Sequence, residues 1–133
     1  MADVRLYDAV KANIVVNGRT IQGFQDGDMF SYTFKEEKVK TAVDAHGDAA
    51  IAINNNHLAT VTINLTGNSV DHKYLNDIAN ANKQVTLQIT SEFEKVSGNQ
   101  AFITKVPDGA FGKDTPKRTY TFEVLDMLSL IHI

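Results

Sequence analysis

The stretch that decides the fold spans residues 49–83 and reads AAIAINNNHLATVTINLTGNSVDHKYLNDIANANK. Residues 58–66 alternate apolar and polar side chains, and a period of two is typical of a strand with one buried face. A Gly-Asn pair then predicts a turn. Ser69 is a predicted helix N-cap, and Asp71 lies in the first turn, where the helix dipole favours an acid. The apolar stripe of the predicted helix consists of Val70, Tyr74, Leu75, Ile78 and Ala79.

Alternating segments on both sides of this stretch predict further strands. Asn17-Gly18 is a strong hairpin signal, because this pair tolerates the positive φ angles of a type I′ turn, and it joins predicted strands at residues 12–16 and 20–24. The other strands are predicted at residues 29–34, 85–93, 100–106 and 118–126, with a hairpin turn at Ser97-Gly98-Asn99 and a loop at 107–116. The apolar end, residues 127–133, is expected to dock on the core or on a neighbouring molecule.

Roughly eight strands and one helix predict a mainly β fold. The expected architecture is an antiparallel β-sandwich or barrel with one flanking α-helix at one end or on one face. The chain has 133 residues and shows no linker or internal repeat, so we expect a single domain over residues 1–133.

A long protruding β-hairpin arm is predicted between residues 35 and 54. It begins with the mixed-charge run KEEKVK, turns at DAHGD and returns through residues 49–53. Its flanks are charged or small, so an isolated hairpin of this kind buries little surface on its own chain. We therefore expect the arm to need a partner surface or to be mobile.

Composition excludes several classes of function. The net charge is −3, which argues against a general nucleic-acid binder with a basic face. The absence of cysteine excludes disulfides, thiolate metal sites and a cysteine nucleophile. No apolar segment resembles a secretory signal or reaches the ~20 residues of a membrane span, so we expect no membrane anchor and synthesis in a cytoplasm.

Candidate catalytic and metal-binding residues are few. Asp44, His46 and Asp48 crowd one turn, but their spacing in a glycine-containing turn favours a structural turn over a metal site. The Asp26-Gly27-Asp28 segment lacks the other ligands of a calcium loop. No Gly-x-Ser-x-Gly or phosphate-binding glycine loop occurs, and the remaining histidines are scattered. The sequence therefore predicts no enzyme, no metal and no cofactor.

The polar faces of the predicted strands are largely uncharged. They carry Thr60, Thr62, Asn64, Thr86, Gln88, Thr90, Thr119 and Thr121. One interpretation is an ordinary solvated sheet face. The other is a hydrated, uncharged surface such as the lining of a pore. Hydroxyl and amide groups are well hydrated but carry no positive charge that would bind a polyanion. Exposed strand edges also recruit other chains unless a closed assembly pairs them.

The order of these features resembles the tail tube proteins of contractile-tailed phages and phage-tail-like particles. The resemblance is carried by the hairpin IVVNGRTIQGFQDGDMF, the charged arm ending in DAHGD, and the segment INNNHLATVTINLTGNSVDHKYL. It covers nearly the whole chain, and each motif alone is only a turn and a strand. The C-terminal MLSLIHI departs from the family pattern.

The resemblance implies a virion protein whose hexameric rings stack into a hollow tube that conducts DNA or penetrates the host envelope. Its implied partners are further copies of itself and the tail sheath, tape-measure, baseplate and tail terminator proteins, with DNA only as passing cargo. The arm would reach the adjacent ring. The residues expected to make these contacts are Lys35, Glu36, Glu37, Lys38, Lys40, Asp44, His46, Asp48, Asn54, Asn55 and Asn56.

A free-standing β-sandwich binding module, for example one for glycans, is the alternative hypothesis. It would need a surface patch of aromatic side chains on which sugar rings stack. The aromatic residues on single strand faces are expected to belong to the core instead: Phe30, Tyr32, Phe34, Tyr120 and Phe122.

Overall fold

The computed structural model describes residues 11–25, 27–53, 55–92 and 94–131, without the side chains of Lys40, Leu130 and Ile131. Ten strands and one α-helix form over these residues. The strands are β1 Asn13–Val16, β2 Arg19–Thr20, β3 Phe30–Phe34, β4 Val39–Val43, β5 Ala49–Ile53, β6 Ala59–Thr66, β7 Val85–Thr90, β8 Glu94–Lys105, β9 Lys117–Val124 and β10 Leu128–Ile131, and the helix is α1 Val70–Asn80. The predicted mainly β, antiparallel fold with a flanking helix is confirmed.

Eight of the strands form one antiparallel sheet in the order β2-β1-β7-β8-β9-β6-β3, with β10 also paired to β8. β8 is twelve residues long and joins the two halves of the sheet. Its first part pairs with β7 and β10, and its last part pairs with β9. The sheet curls back on itself and brings β3, at one end of the strand order, close to the start of β8. There the Tyr32 hydroxyl donates to the Glu94 carboxylate at 3.0 Å.

Alternation of buried and exposed side chains places the core on one face of this sheet. In β6 every second residue is buried, beginning at Ala59, and β9 alternates in the same way. Tyr120 and Phe122 of β9 are fully buried, as are Leu75 of α1 and the inward residues of β1, β7 and β8. Each fully buried aliphatic or aromatic side chain contributes roughly 1.5–3 kcal/mol to stability. The hydrophobic pattern of β6 and β9 was thus predicted correctly.

The Asn17-Gly18 hairpin is present, but its second strand is shorter than predicted. Asn17 and Gly18 have φ angles of 52° and 85°, as a type I′ turn requires. β2 ends at Thr20 because the chain then turns to meet the start of the helix. The N–H group of Gln22 donates to Asp71 Oδ2 (2.7 Å), and its carbonyl accepts from Ser69 Oγ (2.6 Å).

The helix begins as predicted at Ser69, whose Oγ accepts from the Asp71 N–H group at 3.2 Å. Asp71 also serves a role that the sequence did not reveal. Its carboxylate is 2% exposed and binds Arg19 Nε at 2.6 Å, which ties the helix to the first hairpin. The guanidinium of Arg19 stacks on the Tyr74 ring at 4.6 Å. Val70 belongs to the predicted apolar stripe, but it is 73% exposed and so does not lie on the buried face of the helix.

The predicted turn at Ser97-Gly98-Asn99 is also wrong, because these residues lie inside β8. The β7–β8 turn lies earlier, where the Ser91 N–H group donates to the Glu94 carbonyl at 2.9 Å. Gly98 is needed within the strand because a Cβ there would lie 2.3 Å from Val124 Cγ1. Glycine in this strand therefore marks a close approach between strands and not a turn.

A β-bulge follows Gly98. Opposite Val85 and Leu87 of β7, β8 contains one residue more than the regular register allows. The freed N–H groups of Asn99 and Gln100 both donate to Asp126 Oδ1, at 2.9 and 3.0 Å. The bulge bends β8 at the point where the strand passes from one half of the sheet to the other.

The apolar C-terminal segment docks on its own chain over the described residues. Met127 is 1% exposed, and β10 pairs antiparallel with the first part of β8. Residues 132 and 133, together with residues 1–10, Asp26 and the predicted strand end at Phe93, lie outside the described residues.

We predict that Gly98→Ala lowers the free energy of unfolding by ~1–3 kcal/mol, the usual cost of overpacking a close contact. The methyl group would overlap Val124 and approach Asp126. Urea unfolding followed by circular dichroism measures the change. Gly112→Ala is the matched control, because a Cβ there meets nothing within 4 Å. Equal midpoints for the two variants would contradict the assignment of Gly98.

We also predict that Asp71→Asn destabilises the protein by roughly 1–3 kcal/mol, the cost of leaving charged and backbone donors poorly satisfied. The loss stays below that of a fully buried pair because the Arg19 side chain is 46% exposed and keeps part of its hydration. Asp77→Asn, an exposed acid on the same helix, serves as the control in the same unfolding assay. A destabilisation by Asp77→Asn as large as that by Asp71→Asn would refute the anchoring role.

Candidate assembly interface

The predicted arm exists as a two-stranded sheet of its own, formed by β4 and β5. It has one apolar face, which we call the arm face and define as Val39, Val43, Ile51 and Ile53. Val39 pairs with Ile53 and Thr41 with Ile51, and alternation along each strand places these side chains on the same side. The four residues of the arm face are 45%, 68%, 70% and 72% exposed, respectively. The sequence suggested charged or small flanks and missed this continuous apolar surface.

The tip of the arm is held by one carboxylate. Asp44 Oδ1 accepts from the N–H groups of His46 and Asp48, both at 2.9 Å, and Gly47 adopts a φ of 86°. The carboxylate thus closes the turn, as predicted for a structural turn. Within the described part of the chain, no group of three or more metal-ligating side chains comes together.

The base of the arm is tied to the main sheet. The Lys35 N–H group donates to the Leu58 carbonyl at 3.0 Å, and the Lys35 ammonium forms an ion pair with Glu123 of β9. Asn56 Nδ2 donates to Glu36 Oε2 at 3.3 Å, and Asn56 Oδ1 accepts from the Leu58 N–H group at 3.1 Å. These contacts orient the arm as it leaves the sheet.

The predicted contact residues divide between the two ends of the arm. Lys35, Glu36, Glu37, Lys38, Asn55 and Asn56 lie at its base, and Asp44, His46 and Asp48 at its tip. Asn54 and the side chain of Lys40 lie outside the described residues. The structure therefore separates the charged positions from the arm face, which occupies the length between them.

A cleft of about 320 Å³ opens beside the base of the arm. Its lining combines apolar side chains with the polar residues of the base: Phe34, Glu36, Lys38, Asn56, His57, Met127, Leu128 and Ser129. Phe34 is 38% and Leu128 is 54% exposed, so part of the apolar lining faces solvent. The cleft lies between β10 and the end of β3.

The uncharged polar residues singled out in the sequence form two groups. Five of them lie side by side on β6 and β9: Thr60, Thr62, Asn64, Thr119 and Thr121. Thr119 Oγ1 donates to Asn64 Oδ1 at 2.9 Å, across the two strands. The other three, Thr86, Gln88 and Thr90, lie on β7, which β8 separates from β9. The two groups occupy different halves of the sheet.

The five aromatic residues singled out in the sequence do not form the surface patch that a glycan-binding module needs. Tyr120 and Phe122 are fully buried, and Phe30 and Tyr32 pack partly buried against the core. Phe34 is the exposed member of this set. Among the described residues, no helix is both long and apolar enough to cross a membrane.

One cluster of titratable groups lies between the helix and β9 and includes His72 of α1 and Tyr120 of β9. The Tyr120 hydroxyl donates to the His72 carbonyl at 2.9 Å and lies 2.7 Å from His72 Nδ1. Burial raises the pKa of Tyr120 to about 12. Burial, and secondly the charge of Arg118, lowers the pKa of His72 below its usual 6.5. Both rings are therefore neutral at pH 7, and the cluster joins α1 to β9.

We predict that the protein loses stability as the pH falls below 6.5, in part because of His72. Its pKa is lower in the folded than in the unfolded state, so between the two values the unfolded chain binds more protons. This contribution is complete above pH 6.5 and is lost as the pH falls through the folded pKa. Urea unfolding at half-unit steps from pH 7.5 to 5 measures it.

His72→Gln should flatten this pH dependence, whereas His57→Gln, at an exposed position, should retain it. If the free energy of unfolding of His72→Gln changes with pH as steeply as that of the wild type, His72 does not contribute to the pH dependence.

Comparison with known proteins shows the fold. No protein-family model and no curated protein matches the chain. Several solved structures match nearly all of it. A chain of the anti-feeding prophage cap, which terminates the tube, aligns with a TM-score of 0.69 at 9% identity, covering 99% of this chain and 95% of that chain.

A chain of the virion of the native gene transfer agent particle aligns with a TM-score of 0.69 at 12% identity, covering 96% of this chain and 100% of that chain. A chain of the sheath–tube complex of an extracellular contractile injection system, PVC, in its extended state gives 0.62 at 12% identity, with 92% and 89% covered. The chain thus has a fold that occurs in contractile injection systems and in phage-like particles.

Proposed function

We propose that this protein is a structural component of a phage-tail-like particle and, within it, the tube subunit whose hexameric rings stack into a hollow tube. The observation that carries the proposal is the exposed arm face, Val39, Val43, Ile51 and Ile53, on a domain whose fold occurs in injection-system and phage-like particles. Tail tubes are assemblies of many copies, so a subunit must carry surfaces that only neighbours can cover.

The arm face is such a surface. A two-stranded hairpin is marginally stable in water unless its apolar side packs against something. Within the described residues, Val39 is partly covered at 45% exposure, and Val43, Ile51 and Ile53 remain about 70% exposed. Contiguous exposed apolar surface marks an interaction site in soluble proteins. We assign to the arm, as its partner, a copy of the chain in the adjacent ring. In a stack of identical rings, every arm meets the same surface at the same distance.

Open strand edges support closure into a ring. β2 and β3 end the path of the main sheet, and each has one paired side within the described strands. Unpaired N–H and C=O groups at such edges favour pairing with another chain. Head-to-tail contacts between identical subunits form a closed ring when the rotation between neighbours closes. In such a ring, the open edge of each subunit can pair with an edge of the next.

The hydroxyl- and amide-rich group on β6 and β9 suits the lining of a water-filled tube. Thr60, Thr62, Asn64, Thr119 and Thr121 are adjacent, partly or fully exposed and without charge. A lumen lined in this way hydrates well and does not retain passing DNA. The proposed partners beyond the chain itself are the sheath, tape-measure, baseplate and terminator proteins, and the proposed location is the tail. This role requires no catalysis and no cofactor.

A tube terminator is a second candidate. The similarity to the tube-terminating cap extends over 99% of this chain, and its TM-score equals that of the gene transfer agent chain. The two roles differ in their assembly. A tube subunit polymerises into tubes of unlimited length, whereas a terminator stops at a single ring. Electron microscopy of the purified protein over a range of concentrations separates them.

We predict that Ile51→Ser combined with Ile53→Ser abolishes stacking and leaves the fold intact. Both side chains are about 70% exposed, so the folded domain loses little when they become polar, whereas an interface loses on the order of 1 kcal/mol or more for each side chain. Negative-stain microscopy counts tubes and rings, and circular dichroism with thermal unfolding checks the fold.

Ala50→Ser combined with Ala52→Ser is the matched control, because the same strand then becomes more polar on its opposite face. These variants should still stack. Tubes of normal length from the Ile51/Ile53 variant would rule out the arm face as an inter-ring contact. Persistent monomers of the wild-type chain, even with tail partners supplied, would rule out the proposed function.

A further inference from the structure

Asn17 and Gly18 form the tip of the first hairpin. Both residues are exposed, and their φ angles are 52° and 85°. Asn17 is the one asparagine of the 133-residue sequence that a glycine follows. Because glycine has no Cβ, the backbone nitrogen of Gly18 is open to approach by the Asn17 side chain. The tip therefore places a side-chain amide next to an unshielded backbone N–H group.

Neither of these two groups is held by the rest of the protein. Across the described part of the chain, the Gly18 N–H group makes no hydrogen bond, and the Asn17 side chain makes none either. The Asn17 backbone N–H group, by contrast, donates to the Thr86 carbonyl at 2.8 Å. The main chain is thus fixed on the side before the turn, while the Gly18 nitrogen and the Asn17 amide lose no partner when they move.

Asn68 offers a comparison within the same chain, because it is also exposed in a turn and is followed by a small residue. The nitrogen that follows it is bonded: the Ser69 N–H group donates to the Thr66 carbonyl at 3.0 Å. The Ser69 hydroxyl in turn donates to the Gln22 carbonyl at 2.6 Å, as part of the helix cap. The fold therefore restrains the nitrogen after Asn68 and leaves the nitrogen after Asn17 free.

The turn can open without disturbing the core. β2, which follows it, consists of Arg19 and Thr20, is exposed and lies at one end of the strand order. Short, exposed elements of this kind open at low cost in free energy. For the Gly18 nitrogen to reach the Asn17 amide, the peptide plane between the two residues must rotate out of the type I′ geometry. Gly18 has no side chain that resists this rotation.

We propose that Asn17 is a site of spontaneous deamidation in the folded protein. A base in solution removes the Gly18 N–H proton, and the nitrogen attacks Asn17 Cγ. A new C–N bond closes a cyclic imide as ammonia leaves. Water then opens the imide at either carbonyl, which yields an aspartate or an isoaspartate at position 17. In sum, an amide and water become a carboxyl group and ammonia. This reaction needs no assembly, so it is independent of the proposed function.

The two products affect the hairpin differently. An aspartate keeps the main chain as it is and tolerates the left-handed conformation that the turn needs. An isoaspartate carries the main chain through the former side chain and so adds a methylene to a two-residue turn. The pairing of Val16 with Arg19 depends on the length of this turn. Isoaspartate therefore shifts Arg19 away from Asp71, its ion-pair partner at 2.6 Å.

The first experiment incubates the folded chain at pH 6 and at pH 8. Peptide mapping by mass spectrometry locates the deamidated residues, and an isoaspartyl methyltransferase assay counts isoaspartate. We expect Asn17 to convert before every other asparagine and to convert faster at pH 8, because the deprotonated nitrogen is the nucleophile. Asn17 that stays intact while Asn68 or another asparagine converts would overturn the proposal, and so would a rate at Asn17 that does not rise with pH.

The second experiment repeats the incubation in urea above the unfolding midpoint. Unfolding frees the Ser69 nitrogen from its hydrogen bond to Thr66. The rate at Asn17 relative to that at Asn68 should therefore be lower in urea than in the folded protein. An equal ratio in the two states would show that the fold does not select the site and would overturn the structural argument.

The third experiment compares melting temperatures before and after incubation at pH 8. The wild type should lose melting temperature as isoaspartate accumulates. Asn17→Gly is the matched control, because Gly-Gly also suits a type I′ turn and carries no amide. It should form no isoaspartate in the turn and keep its melting temperature. Fresh Asn17→Asp should melt close to the fresh wild type. An equal loss in incubated Asn17→Gly, or a melting temperature of fresh Asn17→Asp as low as that of the incubated wild type, would overturn the effect assigned to isoaspartate.

Discussion

The fold depends on one strand that belongs to both halves of the sheet. β8 pairs with β7 and β10 over its first part and with β9 over its last part, so its bend determines how the halves face each other. Two features make the bend possible: Gly98 allows Val124 to approach, and the Asp126 carboxylate takes up both N–H groups that the bulge leaves unpaired. Without an acceptor at Asp126, the two N–H groups that the bulge frees would lose their partner within the protein and would have to bond to water instead.

In this arrangement the inward-facing residues of the main sheet form one hydrophobic core. No described residue of β4 or β5 belongs to that core. β4 and β5 pair with each other and with no strand of the main sheet. The arm is oriented by the ion pair of Lys35 with Glu123 and by Asn56 at its base, but its apolar face stays in solvent. The main sheet thus buries its own core, whereas the apolar residues of the arm face remain exposed among the described residues. That division suits a subunit that folds before it assembles.

Local patterns in the sequence determined much of the fold. The alternation in β6 and β9, the Asn17-Gly18 turn and the cap at Ser69 were predictable, because each depends on residues close together in the chain. The arm was predictable as a hairpin for the same reason. Tertiary structure decided the rest, since it depends on residues far apart. Gly98 signals a turn in sequence but meets Val124 in space; Asp71 finds Arg19 across 52 positions; Val70 belongs to the apolar stripe by spacing but projects into solvent. That the arm face stays exposed is likewise decided by the tertiary structure, because it depends on where all the other strands pack.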